Sequence, residues 1–259
     1  MAYTLTVDNK YGCCAITDSE KSINKVERSA DGGKYEILWD KEKMTGISVS
    51  SLSEFKDYCC DVGVQYQYKI NGNLVLNPTV EVDYEDIILI DNSASGSAQL
   101  IRFNPSLSSL KRNQAESITQ TLGGKYPVIR RNGNMDYYTF TLGGLISTLA
   151  LKNQYEDEAK RTLEERQFRK SFVDGLCNGK VKLFKAGPEG MMLVRVTGVT
   201  LTPESKLGRD IYSFSATVTE IAEATVENLR KYNIYSPADT YYTVSIEASS
   251  EEAYFVVRG

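Results

Sequence analysis

LIRFNPSLSSLKRNQAESITQTLGGKYPVIRRNGNMDYYTFTLGGLIS, running from Leu100 to Ser147, decides how this chain is read. Within it, Val128-Ile-Arg-Arg131 is followed by Asn132-Gly133 and then by Asn134-Met-Asp-Tyr-Tyr-Thr-Phe-Thr-Leu142. Asn-Gly supplies the positive φ angles of a tight reversal, so the stretch predicts a β-hairpin turning at Asn132 and Gly133. Further on, Ile211 to Ile221 (IYSFSATVTEI) alternates without a break: Tyr212, Phe214, Ala216 and Val218 fall on one face and Ser213, Ser215, Thr217 and Thr219 on the other. That period of two predicts a strand with one face in the core and one hydrated or against a neighbour. Both stretches read as assembly surfaces, and neither contains a catalytic motif.

Working outward, Tyr3 to Val7, Tyr35 to Trp39 and Val64 to Ile70 carry the same β alternation, separated by Asp31-Gly-Gly and Asn71-Gly-Asn. Ser50 to Cys60 predicts a short helix capped by Ser51 or Ser53. Asn77-Pro78 marks a boundary, and Val80 to Ile90 reads as an extended strand followed by a polar loop at 91–97. Residues 153–172 predict the single long helix, with Glu156 and Asp157 early and Arg166, Arg169 and Lys170 late, complementing the helix dipole. Its narrow apolar stripe of Tyr155, Ala159, Leu163 and Phe172 implies a helix lying on a sheet, and Asp174-Gly175 predicts its end. Val181 to Ala186, Gly187-Pro-Glu-Gly190 and Met191 to Leu201 form a second predicted hairpin. Two strand-like runs close the chain, Tyr241 to Ile246 and Ala253 to Val257, and they suit either the domain's own sheet or a neighbouring subunit. The expected organisation is mainly β (α+β): a small β-rich domain at 1–80, a main β domain at 81–231 and a C-terminal β-hairpin arm at 232–259.

Composition narrows the chemistry. The 259 residues bury a core without staples, and the net charge of −4 lacks the basic excess of a nucleic-acid binder. With no histidine in the chain, Ser-His-Asp triads, histidine-metal sites and imidazole bases are excluded together. Tyrosines (17) outnumber phenylalanines (8), which suits half-buried strands and interfaces. The start of the chain lacks the apolar core of a signal peptide, and no run reaches the about 18 apolar residues of a membrane span. Synthesis and folding in the cytoplasm are therefore expected. The five cysteines, Cys13-Cys14, Cys59-Cys60 and Cys177, have no CxxC spacing and read as free thiols.

Three sharper readings compete with bland ones. Asp83, Glu85 and Asp86 offer paired carboxylates, but three acids in one short run suit a hydrated strand edge better than a glycosidase cleft. Gly123-Gly124 and Gly143-Gly144 lack the spacing of a phosphate loop and read as turns or close approaches. The two cysteine pairs would have to converge from distant positions to hold a soft metal, and adjacent side chains on a strand diverge. No cofactor and no metal are expected.

Arg102-Phe-Asn-Pro105, Gly123-Gly-Lys-Tyr-Pro127 with Arg131-Asn-Gly-Asn134, Gly143-Gly-Leu-Ile-Ser147 and Gly208-Arg-Asp-Ile-Tyr-Ser-Phe-Ser-Ala216 occur in an order that resembles tail-tube-like structural proteins of the bacteriophage distal tail and baseplate. The likeness covers residues 80–234. It implies a β-sandwich or barrel with a flanking helix, and a virion component made in the host cytoplasm that joins the tail tube to baseplate or receptor-binding proteins. The implied partners are copies of the chain in a ring, hexameric or alternatively trimeric, with tube and baseplate proteins and a tape-measure protein, and neither a membrane nor sequence-specific nucleic acid. On that reading Arg130, Arg131, Asn132, Gly133, Asn134, Tyr212 and Phe214 are the candidate contacts between subunits or with partners. Two other classes stand beside it: a tail-associated cell-wall-degrading enzyme and a β-rich carbohydrate or receptor-binding module.

Overall fold

Antiparallel pairing dominates, because successive strands reverse onto one another through short turns. The computed structural model describes residues 3–43, 51–91, 98–101, 104–119, 128–146, 158–206, 211–232, 234, 241–246 and 253–258. The strands in the first hundred residues are β1 (Tyr3–Asp8), β2 (Cys13–Asp18), β3 (Lys25–Ala30), β4 (Glu36–Asp40), β5 (Glu54–Asp57), β6 (Tyr66–Ile70), β7 (Leu74–Val75), β8 (Ile87–Ile90) and β9 (Ala98–Ile101). Next come β10 (Ser106–Leu107), β11 (Lys111–Thr119), β12 (Val128–Ile146), helix α1 (Glu158–Leu176), β13 (Lys182–Ala186), β14 (Gly190–Pro203) and β15 (Tyr212–Glu223). A short helix α2 (Val226–Lys231) precedes β16 (Tyr241–Ile246) and β17 (Ala253–Arg258). The protein is mainly β with one long helix.

The chain gathers into two units: 1–101 with 180–193 and 223–259, and 102–179 with 194–222. These are not the segments expected from the sequence. Pro78 ends no domain, because Val80 exchanges backbone hydrogen bonds with Tyr66 at 2.7 and 2.9 Å and Val82 bridges Val62. The chain beyond the proline is thus held to the N-terminal strands by the same backbone pairing that builds them.

The first unit holds sheets β1-β2-β5 and β4-β3-β6-β7, together with the run β13-β8-β9. Register sets its core: Ile16 stands opposite Phe55 and Cys14 opposite Asp57, all four buried on β2 and β5. Residues 54–57 form this strand and not the predicted short helix. Phe55 and Asp57 face inward while Glu54 and Lys56 are half-exposed, a period of two that overrides the serine capping signal. β8 and β13 are buried on both faces, so Ile87 to Ile90 and Lys182 to Ala186 form a continuous interior run. β16 and β17 pair with each other, and among the described residues no other strand pairs with either.

In the second unit the strand order is β10-β12-β15-β14, with β11 also on β12. β15 matches its sequence pattern: Phe214, Ala216 and Val218 are buried while Ser215 and Thr217 are exposed. α1 runs past Gly175 to Leu176, with Cys177 N bonded to Val173 O at 2.9 Å. Leu163, expected in the apolar stripe, is exposed, whereas Phe172 meets Phe214 and Leu176 is buried. The early part of the predicted helix, with Tyr155, Glu156 and Asp157, lies outside the described residues, as do Gly123 and Gly124.

Asn132-Gly133 is not a hairpin turn. β12 runs straight through it, and the pairing with β11 jumps from Glu116 opposite Arg131 to Gln114 opposite Asp136. The extra residues form a bulge, and Gly133 adopts φ +86° there. A bulge and a hairpin turn ask for the same left-handed backbone, which is why the dipeptide is ambiguous in sequence. Replacing Gly133 with Val should therefore lower unfolding stability by about 1–2 kcal/mol, through backbone conformation alone since a Cβ would meet nothing within 4 Å. Chemical denaturation measures this, and a wild-type midpoint would refute the strained bulge.

Candidate functional site

The outer half of the β11–β12 pair is paired on one side only among the described residues. β15 covers β12 only from Thr139 to Ile146 and β10 covers Leu142 and Gly143. From Val128 to Tyr137, β12 has β11 on one side and, among the described residues, no strand on the other. The result is a two-stranded ribbon extending from a broader sheet. Its root is fastened by Asn113 Nδ2 donating to Thr139 Oγ1 at 2.9 Å and by Tyr138 N donating to Glu220 Oε2 at 2.9 Å. Midway, Arg112 grips Asp136 bidentately at 2.7 and 2.6 Å, and Gln114 Nε2 donates to the same carboxylate at 3.2 Å. Exposed charge pairs of this kind contribute little stability because solvent screens them, so they shape the ribbon more than they hold it. Met135 projects at 57% exposure.

Arg130, Arg131, Asn132, Gly133 and Asn134 are all on this ribbon, with Arg130 opposite Ser117 and Arg131 opposite Glu116 in register. Tyr212 and Phe214 are elsewhere, on β15 opposite Ile146 and Gly144. Phe214 is not a surface contact residue: it is 4% exposed and meets the Phe172 ring edge-on at 5.2 Å. Tyr212 is half-buried, with the Arg169 guanidinium 3.8 Å from its ring centroid. Both residues anchor α1 through aromatic and cation–π packing. On the opposite face of the sheet Thr141, Thr197, Ser215 and Thr217 are exposed, and Ser213 Oγ donates to Glu204 Oε1 at 2.6 Å.

The first unit contains a polar cluster that the sequence reading missed. Arg28 on β3 pairs with Asp57 on β5 at 2.9 Å, their side chains 8% and 4% exposed. Asp57 also accepts from Tyr68 Oη at 2.8 Å and from Cys59 N at 2.9 Å, while Arg28 donates to Cys59 O. Lys185, fully buried on β13, donates to Gly12 O and to Tyr58 O and lies 4.5 Å from the Tyr84 ring centroid. The two cysteine pairs do converge here, through the β2–β5 ladder. Burial, followed by nearby Asp8, pushes the Cys13 thiol up to about 12; burial pushes Cys59 to about 11 and Cys60 well above its usual range. Cys14 is lowered, first by its hydrogen bond with Cys60. Burial also holds Lys185 below the usual lysine range.

Among the described residues no group of three or more His, Cys, Asp or Glu is arranged to hold a metal ion. No described helix is long and apolar enough to cross a membrane. Asp83 and Glu85 are exposed and alternate with buried Val82 and Tyr84, and Asp83 N donates to Asn9 Oδ1 at 3.0 Å. Charged residues in short polar strands carry no visible signal of burial; the one clue to Asp57 is that it continues the period of Phe55. Neither the protein-family models nor the curated proteins compared with this chain give a match.

Two outcomes follow from the cluster. Asp57→Ala strands the Arg28 guanidinium in the interior and should cost about 3–5 kcal/mol in chemical denaturation, whereas removing the exposed Arg112–Asp136 pair should leave the denaturation midpoint close to that of the wild type. For Cys13 and Cys59, folded values above the unfolded value of 9.0 mean that the folded protein keeps protons the unfolded chain has lost. Their contribution is complete below pH 9 and is lost as pH rises toward 11 to 12. Stability should fall in that window by up to about 1.4 kcal/mol per pH unit per thiol, and Cys13→Ala should flatten the decline.

Proposed function

We propose that this chain is a structural component of the tail tip or baseplate of a phage or phage-derived contractile particle, joining the tail tube to baseplate or receptor-binding proteins through a symmetric ring. The observation that carries this reading is the β11–β12 ribbon. An isolated two-stranded ribbon is marginal in water, and its unpaired backbone groups are templates for another chain. Here it is nevertheless continuous with a four-stranded arrangement and studded with Lys111, Arg112, Glu116 and Asp136, charges of both signs suited to a polar protein interface. Arg130 and Arg131 add the residue type most enriched at such interfaces. The resemblance of residues 80–234 to distal-tail proteins supplies the setting, and a closed ring supplies the symmetry, because identical ribbons each meeting the next subunit close by rotation.

The reading assigns the chain no catalysis. The carboxylates Asp83 and Glu85 stand on an extended segment exposed to solvent, and the chain has no histidine to serve as a base. Purified protein should therefore not solubilise peptidoglycan; turnover lost on Asp83→Asn would reverse the assignment in favour of a cell-wall hydrolase.

Imaging of the assembled particle tests the proposal directly. The chain should trace as a ring at the distal end of the tail, six or three copies, each ribbon packed on a neighbour over at least about 1,000 Å² in total. Arg130→Glu with Arg131→Glu should leave the circular dichroism spectrum unchanged and reduce incorporation into particles at least tenfold. A chain absent from the particle, or a double variant incorporated like wild type with ribbons that touch nothing, would sink the reading.

A further inference from the structure

The function proposed above makes no use of the cysteines, yet four of the five sit in the interior of the first unit. Two of them are placed together. Cys14 stands directly opposite Asp57 in the β2–β5 ladder, and the Cys60 sulfur lies 3.3 Å from Asp57 O. The same sulfur is 3.3 Å from Tyr68 Oη, the hydroxyl that donates to the Asp57 carboxylate, and Cys60 and Tyr68 are the side chains that lower the Cys14 thiol. The register thus sets Cys14 beside Asp57 on β2, and the Cys60 sulfur lies against the same residue and its Tyr68 partner from the segment after β5. The other buried thiols point away: Cys59 Sγ donates to Ala224 O at 3.7 Å, and Cys13, next along β2, takes the opposite side of the strand. A bridge between chain neighbours is also excluded in these extended segments by the divergence of adjacent side chains.

We propose that Cys14 and Cys60 form an oxidation site, at which a hydroperoxide converts the two thiols into one disulfide tying β2 to the segment that follows β5. In the first step the Cys14 thiolate attacks one peroxide oxygen, the O–O bond breaks, and the departing oxygen takes a proton to leave as water or an alcohol. Cys14 is then a sulfenic acid. In the second step the Cys60 sulfur attacks the Cys14 sulfur, the S–O bond breaks, and the hydroxyl leaves as water with the Cys60 proton. Two thiols are oxidised by two electrons in total and one hydroperoxide is reduced by the same two. The directions of the two thiols agree with this order, Cys14 being lowered first by its interaction with Cys60 and Cys60 being raised first by burial. Complete burial of both sulfurs selects a small neutral oxidant over bulky thiol reagents. The bridge would fix the β2–β5 register beside the Arg28–Asp57 pair, and it is independent of any assembly.

The full chain carrying Cys177→Ser, which removes the exposed thiol, is treated with hydrogen peroxide under native conditions until Met135 is converted to its sulfoxide. It is then quenched, unfolded, alkylated, digested and analysed by mass spectrometry. The expected result is a Cys14–Cys60 linked peptide that dithiothreitol splits, with Cys13 and Cys59 alkylated. Cys14→Ala and Cys60→Ala should each abolish the linked peptide, and Cys13→Ala should retain it. Should either of the first two variants fail to fold, the linkage map of the Cys177→Ser protein decides alone. Sulfinic or sulfonic acid at Cys14 without a link, a link dominated by Cys13 or Cys59, or complete alkylation of Cys14 and Cys60 after Met135 has oxidised would overturn the proposal.

Discussion

The Asp57 carboxylate is the constraint around which the first unit is organised. A buried carboxylate without partners is costly enough to be neutralised or expelled, so its position demands a specific set of donors. Arg28, Tyr68 and the Cys59 amide provide them from three places in the sequence. Meeting all three at once fixes β3, β5, β6 and the segment after β5 relative to one another within the unit. Apolar packing by Ile16, Phe55, Val26 and Ile70 tolerates small shifts, whereas a hydrogen-bonded ionic cluster does not, and this is how a buried pair of modest net worth confers a single arrangement.

The same physics governs the close approach at Gly12. Lys185 reaches Gly12 O and Tyr58 O from β13, with the Tyr84 ring beneath it. Gly12 has φ +56°, and a Cβ there would lie 2.4 Å from Tyr84 Cδ1. Backbone carbonyls and an aromatic face replace the water that a buried ammonium loses, so the absence of a side chain at position 12 and the charge at position 185 depend on each other. The second unit is built differently: Phe172 packs on Phe214 within an aliphatic and aromatic core, and among its described residues Glu165 is the charged side chain that is buried. From Val128 to Tyr137, β12 has no second partner strand among the described residues, so its backbone groups on that side are open to another chain.

Much was determined by the sequence alone. The mainly β class, the core face of β15, the long helix and the strands around Val64 to Ile70 and Val181 to Leu201 all follow from periodicity, because side-chain direction on a strand or helix is a local property. The absence of histidine bounds the chemistry without any structure. What only the tertiary structure decided is non-local. Asn132-Gly133 suits a bulge and a turn equally, and the partner strand β11 chooses between them. Ser51 to Cys60 carries a helix cap, but pairing with β2 makes residues 54–57 a strand. Glu27, Arg28, Asp57, Lys182 and Lys185 look like solvated charges in sequence, and burial becomes affordable only when partners distant in the chain arrive. Phe214 was legible as apolar, but whether it faces a neighbour or its own helix depends on where α1 docks. The cysteine pairs show the limit most plainly: two vicinal pairs some forty-five residues apart meet through a strand register, and register is set by which residues lie opposite, which no single segment encodes.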